Sequence, residues 1–137
     1  MILDGDEIRN GLSDDLGFSD LDRIENNRRI IELSKILVKN NIIPIVSTIS
    51  PFEKIRNKAR KELGNFNLIY LDSSLEVCIK RDRKGLYKKV LLEKISNFTG
   101  LGSAFEKPKN YDLLINTDKI SEIDSKNLLI NFAKQYL

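Results

Sequence analysis

The chain has 137 residues, 41% hydrophobic and 31% charged, one domain's length of ordinary globular mixture, which excludes wholesale disorder. Its 23 Lys and Arg against 20 Asp and Glu leave a net charge of +3. That balance is too mild to mark a general nucleic-acid binder, though it suits a few local anion sites. Histidine is absent and Cys78 is the only cysteine, which excludes Ser-His-Asp and Cys-His nucleophiles, internal disulfides and Cys/His zinc centres.

Acid–base chemistry is therefore left to carboxylates and lysines, and any metal to oxygen ligands. No run reaches the roughly 18 apolar residues of a membrane span. Acids at Asp4 and Asp6 stand where a signal peptide carries its cationic and apolar regions. The expected setting is reducing and cytoplasmic, away from membranes.

In chain order, Met1-Ile2-Leu3 reads as the tail of a strand. A helix is predicted from about Asp20 to Asn40, with Ser19 as its N-cap and Asp20 and Asp22 in its first turn. Ile24, Ile31, Leu33, Ile36 and Leu37 form its apolar stripe. Ile42 to Thr48, β-branched and apolar, reads as a strand buried on both faces. Ser50-Pro51 opens a second helix, with Phe52, Ile55, Ala59 and Leu63 on one face and Gly64 as its stop. Asn67 to Asp72 is the next strand.

A helix follows from about Ser74 to Arg81, capped by Ser73 or Ser74, with Cys78 in its core face. A basic helix runs from Leu86 to Ile95, and Asn97 to Lys109 is loop. Leu113 to Asn116 is a last strand and Ser121 to Leu137 a closing helix. Strands alternating with helices imply crossovers and a mostly parallel sheet, so ligands should bind at the carboxyl ends of its strands. That places function in Asp4–Leu16, Thr48–Lys54 and Asp72–Ser74 of a single domain spanning 1–137.

Asp4 and Asp6 flank Gly5 at a strand's end. Such a pair can hold Mg2+ through water or take a proton from a hydroxyl, and Asp-Gly equally makes a turn. Arg9, Arg23 and Asn26 suit an anion, the last two on one helix face, and a solvated charged face has the same spacing. Arg81 to Lys89 packs five cations into nine residues, either a lid over phosphates or a solvated helix start. Ser50, between a strand and a helix, can meet an anion or simply cap. Phe18 and Phe98, in polar loops, can sandwich a base or pack onto the domain.

Together these segments resemble the adenylylsulfate kinase family. The resemblance runs through Leu3-Asp-Gly-Asp-Glu-Ile-Arg-Asn-Gly-Leu12, Asp15-Leu-Gly-Phe-Ser19, Asp22-Arg23, Glu25-Asn26 and Arg28-Arg29. It continues through Ile49-Ser50-Pro51-Phe52, Glu76-Val77-Cys78, Arg81-Asp82, Lys84-Gly85-Leu86-Tyr87-Lys88-Lys89, Phe98-Thr99-Gly100 and Phe105-Glu106-Lys107-Pro108. It implies an α/β, three-layer P-loop kinase-like parallel sheet flanked by helices. It also implies transfer of the γ-phosphoryl of MgATP to the 3′-hydroxyl of adenosine 5′-phosphosulfate.

By that resemblance, Asp4 is the acid near the 3′-hydroxyl and the metal. Asp6, Arg9, Arg23 and Asn26 hold the sulfonucleotide, Phe18 and Phe98 stack on its adenine, and Ile49 and Ser50 line the same pocket. Ser50 stands at the family's phosphoserine position, which direct in-line transfer does not need. Arg81, Lys84 and Lys89 form a lid, with Lys88 turned toward substrate. A homodimer, or a complementing N-terminal segment, is the macromolecular partner implied.

The sequence also departs from the family. No Gly-x-x-Gly-x-Gly-Lys-Ser/Thr occurs, so the first strand–P-loop–helix unit is expected to be missing and the chain alone inactive. Thr48 stands for the usual Phe, Glu53 for a basic residue and Arg83 for Pro or Val. The reversed charge at Glu53 keeps open a kinase of another nucleotide-like acceptor in surface-polysaccharide modification, and the missing P-loop keeps open a sulfonucleotide-binding remnant without catalysis.

Overall fold

The computed structural model describes residues 1–82, 85–92, 98–100 and 102–136. In chain order the elements are β1 (Ile2–Asp4), α1 (Gly5–Arg9), α2 (Asp20–Lys39), β2 (Ile45–Ser47), α3 (Glu53–Leu63), β3 (Ile69–Asp72), α4 (Leu75–Arg81), α5 (Leu86–Leu91), β4 (Phe98–Thr99), β5 (Gly102–Ser103), β6 (Leu113–Asn116) and α6 (Glu122–Ala133), which runs into a 3-10 turn, Lys134–Tyr136. They form two compact units, Met1–Phe66 with Asn97–Lys107, and Asn67–Ser96 with Pro108–Leu137. Strands pair as β1–β2, β3–β6 and β4–β5, and every pair is parallel, as the alternation of elements requires.

In the first unit, α2 is the spine. Ser19 accepts from the Asp22 N–H and the Asp22 carboxylate accepts back from the Ser19 N–H, so two donors at the helix start are satisfied together. One side of α2 buries Ile30 and Leu37 against Leu3 of β1, with Ile8 and Leu33 at the margin. Its other side packs Ile31 against Ile55 and Ala59 of α3, flanked by Ile24, Phe52, Leu63 and Phe66. Lys35 of α2 pairs with Glu62 of α3 beyond this apolar seam.

Several boundaries differ from the sequence reading. The strand expected over Ile42–Thr48 shortens to Ile45–Ser47 because Asn41 takes a φ of 59°, the Ile42 N–H turns back to the Leu37 carbonyl, and Pro44 has no N–H to give. It is exposed rather than buried on both faces, Ile45 at 58%, since β1 is its single partner among the described strands. Ile36, placed in the apolar stripe, lies outward. α1 was not anticipated. α3 starts at Glu53 with Phe52 as N-cap, not at Ser50-Pro51.

In the second unit, β3 and β6 align Asp72 with Asn116, and Ile115 is fully buried. Ser74, not Ser73, caps α4. Cys78 is half-buried rather than core. α5 begins at Leu86 as expected, with Gly85 at φ 64° ahead of it. The helix expected to reach Ile95 ends at Leu91 with Leu92 as its C-cap, and residues 93–95, Arg83 and Lys84 lie outside the described residues. The expected loop from Asn97 carries the short pair β4–β5. No described helix is long and apolar enough to cross a membrane.

Candidate functional site

The carboxyl end of β1 delivers Asp4, the N-cap of α1. Its Oδ1 accepts from the Asp6 N–H at 2.8 Å, and among the described residues Oδ2 accepts no hydrogen bond. Asp4-Gly5-Asp6 is thus a strand-to-helix junction rather than an isolated turn. A Cβ at Gly5 would stand 3.1 Å from Thr48 Cγ2 and 3.3 Å from the Ser47 carbonyl, so a larger residue at position 5 would press on the end of β2. Asp6 itself is exposed.

One turn on, Arg9 donates to the Gly17 carbonyl at 2.7 Å and lays its guanidinium 4.6 Å from the centre of the Phe18 ring. Phe18 is 62% exposed, so the ring stays open to a further stacking partner. Arg23, 7% exposed, donates to the Phe18 carbonyl at 2.9 Å and to the Thr99 hydroxyl at 2.5 Å. Burial and the neighbouring charge of Arg9 push its pKa below the ordinary value, against the pull of Asp20. Asn26, one turn further along α2 and 4% exposed, buries its Oδ1 without a hydrogen-bond partner among the described residues.

Of the sequence candidates, the structure joins Arg9, Phe18 and Arg23 by direct contacts, with Asn26 one turn away on α2. Their supports were missed. Arg29 donates to both Asp15 carboxylate oxygens, at 2.5 and 2.8 Å, to the Leu12 carbonyl and to Glu25, and so ties the loop between Arg9 and Phe18 to α2. Arg28 and Arg29 hold the Glu25 carboxyl down at about 2. The Ser13 hydroxyl in that loop is fully buried without a partner among the described residues, and nothing in the structure explains it.

The second set of candidates follows β2. Ile49 is exposed and Ser50 takes a φ of 42°. The anion expected at the next helix start is already supplied by the protein: the Glu106 carboxylate accepts from the Glu53 N–H at 2.6 Å. Glu53 itself pairs with Arg56 at 2.6 Å, and both side chains are largely buried. The negative charge at Glu53 is thus matched inside the protein. Phe98 is half-buried, and Thr99 beside it receives the Arg23 hydrogen bond.

Within the second unit, Arg81 is exposed and donates twice to Thr117, at 2.6 Å to its carbonyl and 3.1 Å to its hydroxyl. The Asp82 carboxylate accepts from the Leu86 and Lys88 N–H groups and so caps α5, leaving the Lys88 and Lys89 side chains exposed. Lys84 lies outside the described residues. Ser73 Oγ and the Ser74 N–H donate to Asp118, which holds that carboxyl below the usual range.

No group of three or more acidic, cysteine or histidine side chains gathers anywhere among the described residues. A caged metal does not fit. A Mg2+ ion held mainly by phosphate oxygens and water fits Asp4, because that ion needs only one or two carboxylates from the protein.

The sequence model of the adenylylsulphate kinase family matches residues 1–116. An adenylyl-sulfate kinase of Clostridium acetobutylicum is 46% identical over 136 residues, 98% of this chain and 68% of that protein. A probable adenylyl-sulfate kinase of Bacillus subtilis is 45% identical, covering the whole of this chain and 71% of its own. Among solved structures, the Mycobacterium tuberculosis APS kinase CysC in complex with AMPPNP and APS superposes with a TM-score of 0.85 at 37% identity, over 93% of this chain and 76% of that one.

Proposed function

The chain belongs to the adenylylsulphate kinase family, and from that premise we propose that its first unit is the acceptor site for adenosine 5′-phosphosulfate in phosphoryl transfer from ATP. The carrying observation is the pairing of a buried guanidinium, Arg23, with a buried carbonyl oxygen, Asn26 Oδ1, that has no hydrogen bond among the described residues. A ligand with both an anionic group and hydrogen-bond donors answers both, and a phosphosulfate on a ribose is such a ligand. The solved relative bound to APS and to an ATP analogue supports the same assignment.

The roles follow from chemistry and from the family. Asp4 Oδ2 is the acceptor for the proton of the attacking 3′-hydroxyl, and Asp4 is also where Mg2+ would be held through water. Mg2+, arriving with ATP, supplies neutralisation of the charge on the transferring phosphoryl group. Arg9 and Arg23 bind the anionic tail, and the Asp6 carboxylate and Asn26 Oδ1 accept hydrogen bonds from the sugar's hydroxyls. The open face of Phe18, opposite Arg9, stacks on adenine together with Phe98. Ile49 and Ser50 close the pocket wall without a covalent step at Ser50. The lid role of Arg81, Lys84, Lys88 and Lys89 rests on the family resemblance alone.

A different nucleotide-like acceptor is not favoured, because Arg56 already neutralises Glu53. No Gly-x-x-Gly-x-Gly-Lys-Ser/Thr occurs in these 137 residues, so they carry the acceptor half of the reaction. Calorimetry tests this. The 137-residue chain binds adenosine 5′-phosphosulfate, and Asn26→Leu or Arg23→Met weakens that binding at least tenfold. Phosphoryl transfer by the same chain is at background, and Asp4→Ala leaves it there. Turnover that Asp4→Ala abolishes would overturn the half-site reading, and absence of acceptor binding would overturn the acceptor assignment.

A further inference from the structure

We propose that Arg56 is a positioning residue of this site, the knot that ties the strap formed by residues 98–100 and 102–106 to the turn at 49–53. The inference rests on the acceptor reading above only for the consequence to ligand binding; the tie itself stands on geometry.

The guanidinium of Arg56 is buried, 4% exposed. It makes four hydrogen bonds to three residues. Nη1 donates to the Ser50 carbonyl at 2.5 Å, Nη2 to the Glu106 carbonyl at 2.6 Å, and Nε and Nη2 to Glu53 Oε2 at 3.1 and 2.6 Å. Glu106 returns the link, accepting from the Glu53 N–H and donating its own N–H to the Pro51 carbonyl at 2.9 Å. The Phe105 ring lies 6.0 Å from the guanidinium carbon. A planar fork with donors in several directions makes this junction, and a lysine ammonium cannot span it.

The strap has two further moorings, both on α2. Arg23 donates to Thr99 and Ser103 Oγ donates to Asp20 at 2.9 Å. The segment bearing Phe98 is therefore held from α2 near one end and from α3 at the other. Among the described residues, the Arg56 hydrogen bonds reach the ligand-assigned set only at the backbone carbonyl of Ser50. Its effect is to fix that carbonyl, with Ser50 at φ 42°, and the far end of the strap in one arrangement.

The test uses the 137-residue chain. Amide hydrogen exchange is followed with no ligand present in the parent, in Arg56→Lys and in Glu106→Ala. The second variant removes the carboxylate that accepts from the Glu53 N–H, while the Arg56 bond to the carbonyl of residue 106 stays available. The expected result is at least tenfold faster exchange at Glu106 and at Gly100, whose N–H bonds the Ser103 carbonyl, in both variants. Amides inside α2 change less than threefold. Unchanged Gly100 exchange in both variants overturns the proposal.

A double-mutant cycle on adenosine 5′-phosphosulfate affinity adds the second arm. Arg56→Lys weakens binding about tenfold in the parent and less than twofold when Phe98 is already alanine, whereas a purely structural effect would be additive. Additive losses overturn the positioning role. A parent that binds no acceptor yet shows the coupled exchange sinks the acceptor reading and upholds the tie.

Discussion

Ser50 holds a conformation that its side chain disfavours. At φ 42° a residue with a Cβ bears about 1–2 kcal/mol of backbone strain. The Arg56 hydrogen bond to its carbonyl and the buried Pro51 behind it hold it there. Ser50→Gly therefore raises stability by up to about 1 kcal/mol in a denaturant melt, after allowance for glycine's looser unfolded chain. A loss of stability would mean that the serine hydroxyl does more than the backbone. Residue type singled out Asp4, Arg9, Arg23 and Asn26 as candidates, because a carboxylate, guanidinium forks and an amide in register with a family pattern carry their chemistry in their identity. Arg56 was not legible in this way. Its partners, Ser50 and Glu106, are 6 and 50 positions away in sequence, and no spacing rule joins them.

At the scale of elements, α2 shows how far local rules reach. Its start at Asp20, its capping box and its end before Asn40 all follow from short-range chemistry. α3 shows where they stop, since its N-terminal N–H is satisfied by Glu106, brought in from a distant segment. The link from α2 to the loop between Arg9 and Phe18 is ionic and thus open to titration. Glu25 ordinarily titrates near 4.5 and is held at about 2 in the fold, and Asp15 is lowered in the same way by Arg29. A depressed carboxyl pKa adds stability above its unfolded value and loses it as pH falls through the folded one. The fold therefore weakens between about pH 4.5 and about pH 2. Glu25→Gln lowers the midpoint of urea unfolding at pH 7 and flattens this acid limb. A limb unchanged in the variant would assign it to other carboxylates.

For the molecule as a whole, the parallel pairing and the alternation of elements were readable because buried parallel strands need apolar runs and crossovers need helices. Burial of β2 was not, since an apolar run says what a strand tolerates and not what lies against it. Ile2 is 67% exposed, and Ile45 and Val46 across the pair are 58% and 42% exposed. Exposed apolar strands invite edge pairing and association. Light scattering at rising concentration should show self-association of the 137-residue chain, reduced by Ile45→Lys. Equal scattering by the two would place the sticky surface elsewhere.

Arg23 is at once a strut, bonded to Thr99 across 76 positions of sequence, and a cation kept beside another cation. The two duties make affinity and thermal resistance one quantity read in two ways. An anion that settles between Arg9 and Arg23 removes a repulsion the empty fold must bear, and it does so only while the strut is in place. By mass action, a ligand at a hundred times its Kd adds about 2.7 kcal/mol to the folded state. A melting-temperature screen of sulfated and phosphorylated nucleosides should therefore rank acceptors without any turnover. In that screen Arg23→Met flattens every rise, while Lys126→Met, at an exposed residue with no part in the site, leaves the ranking of acceptors intact.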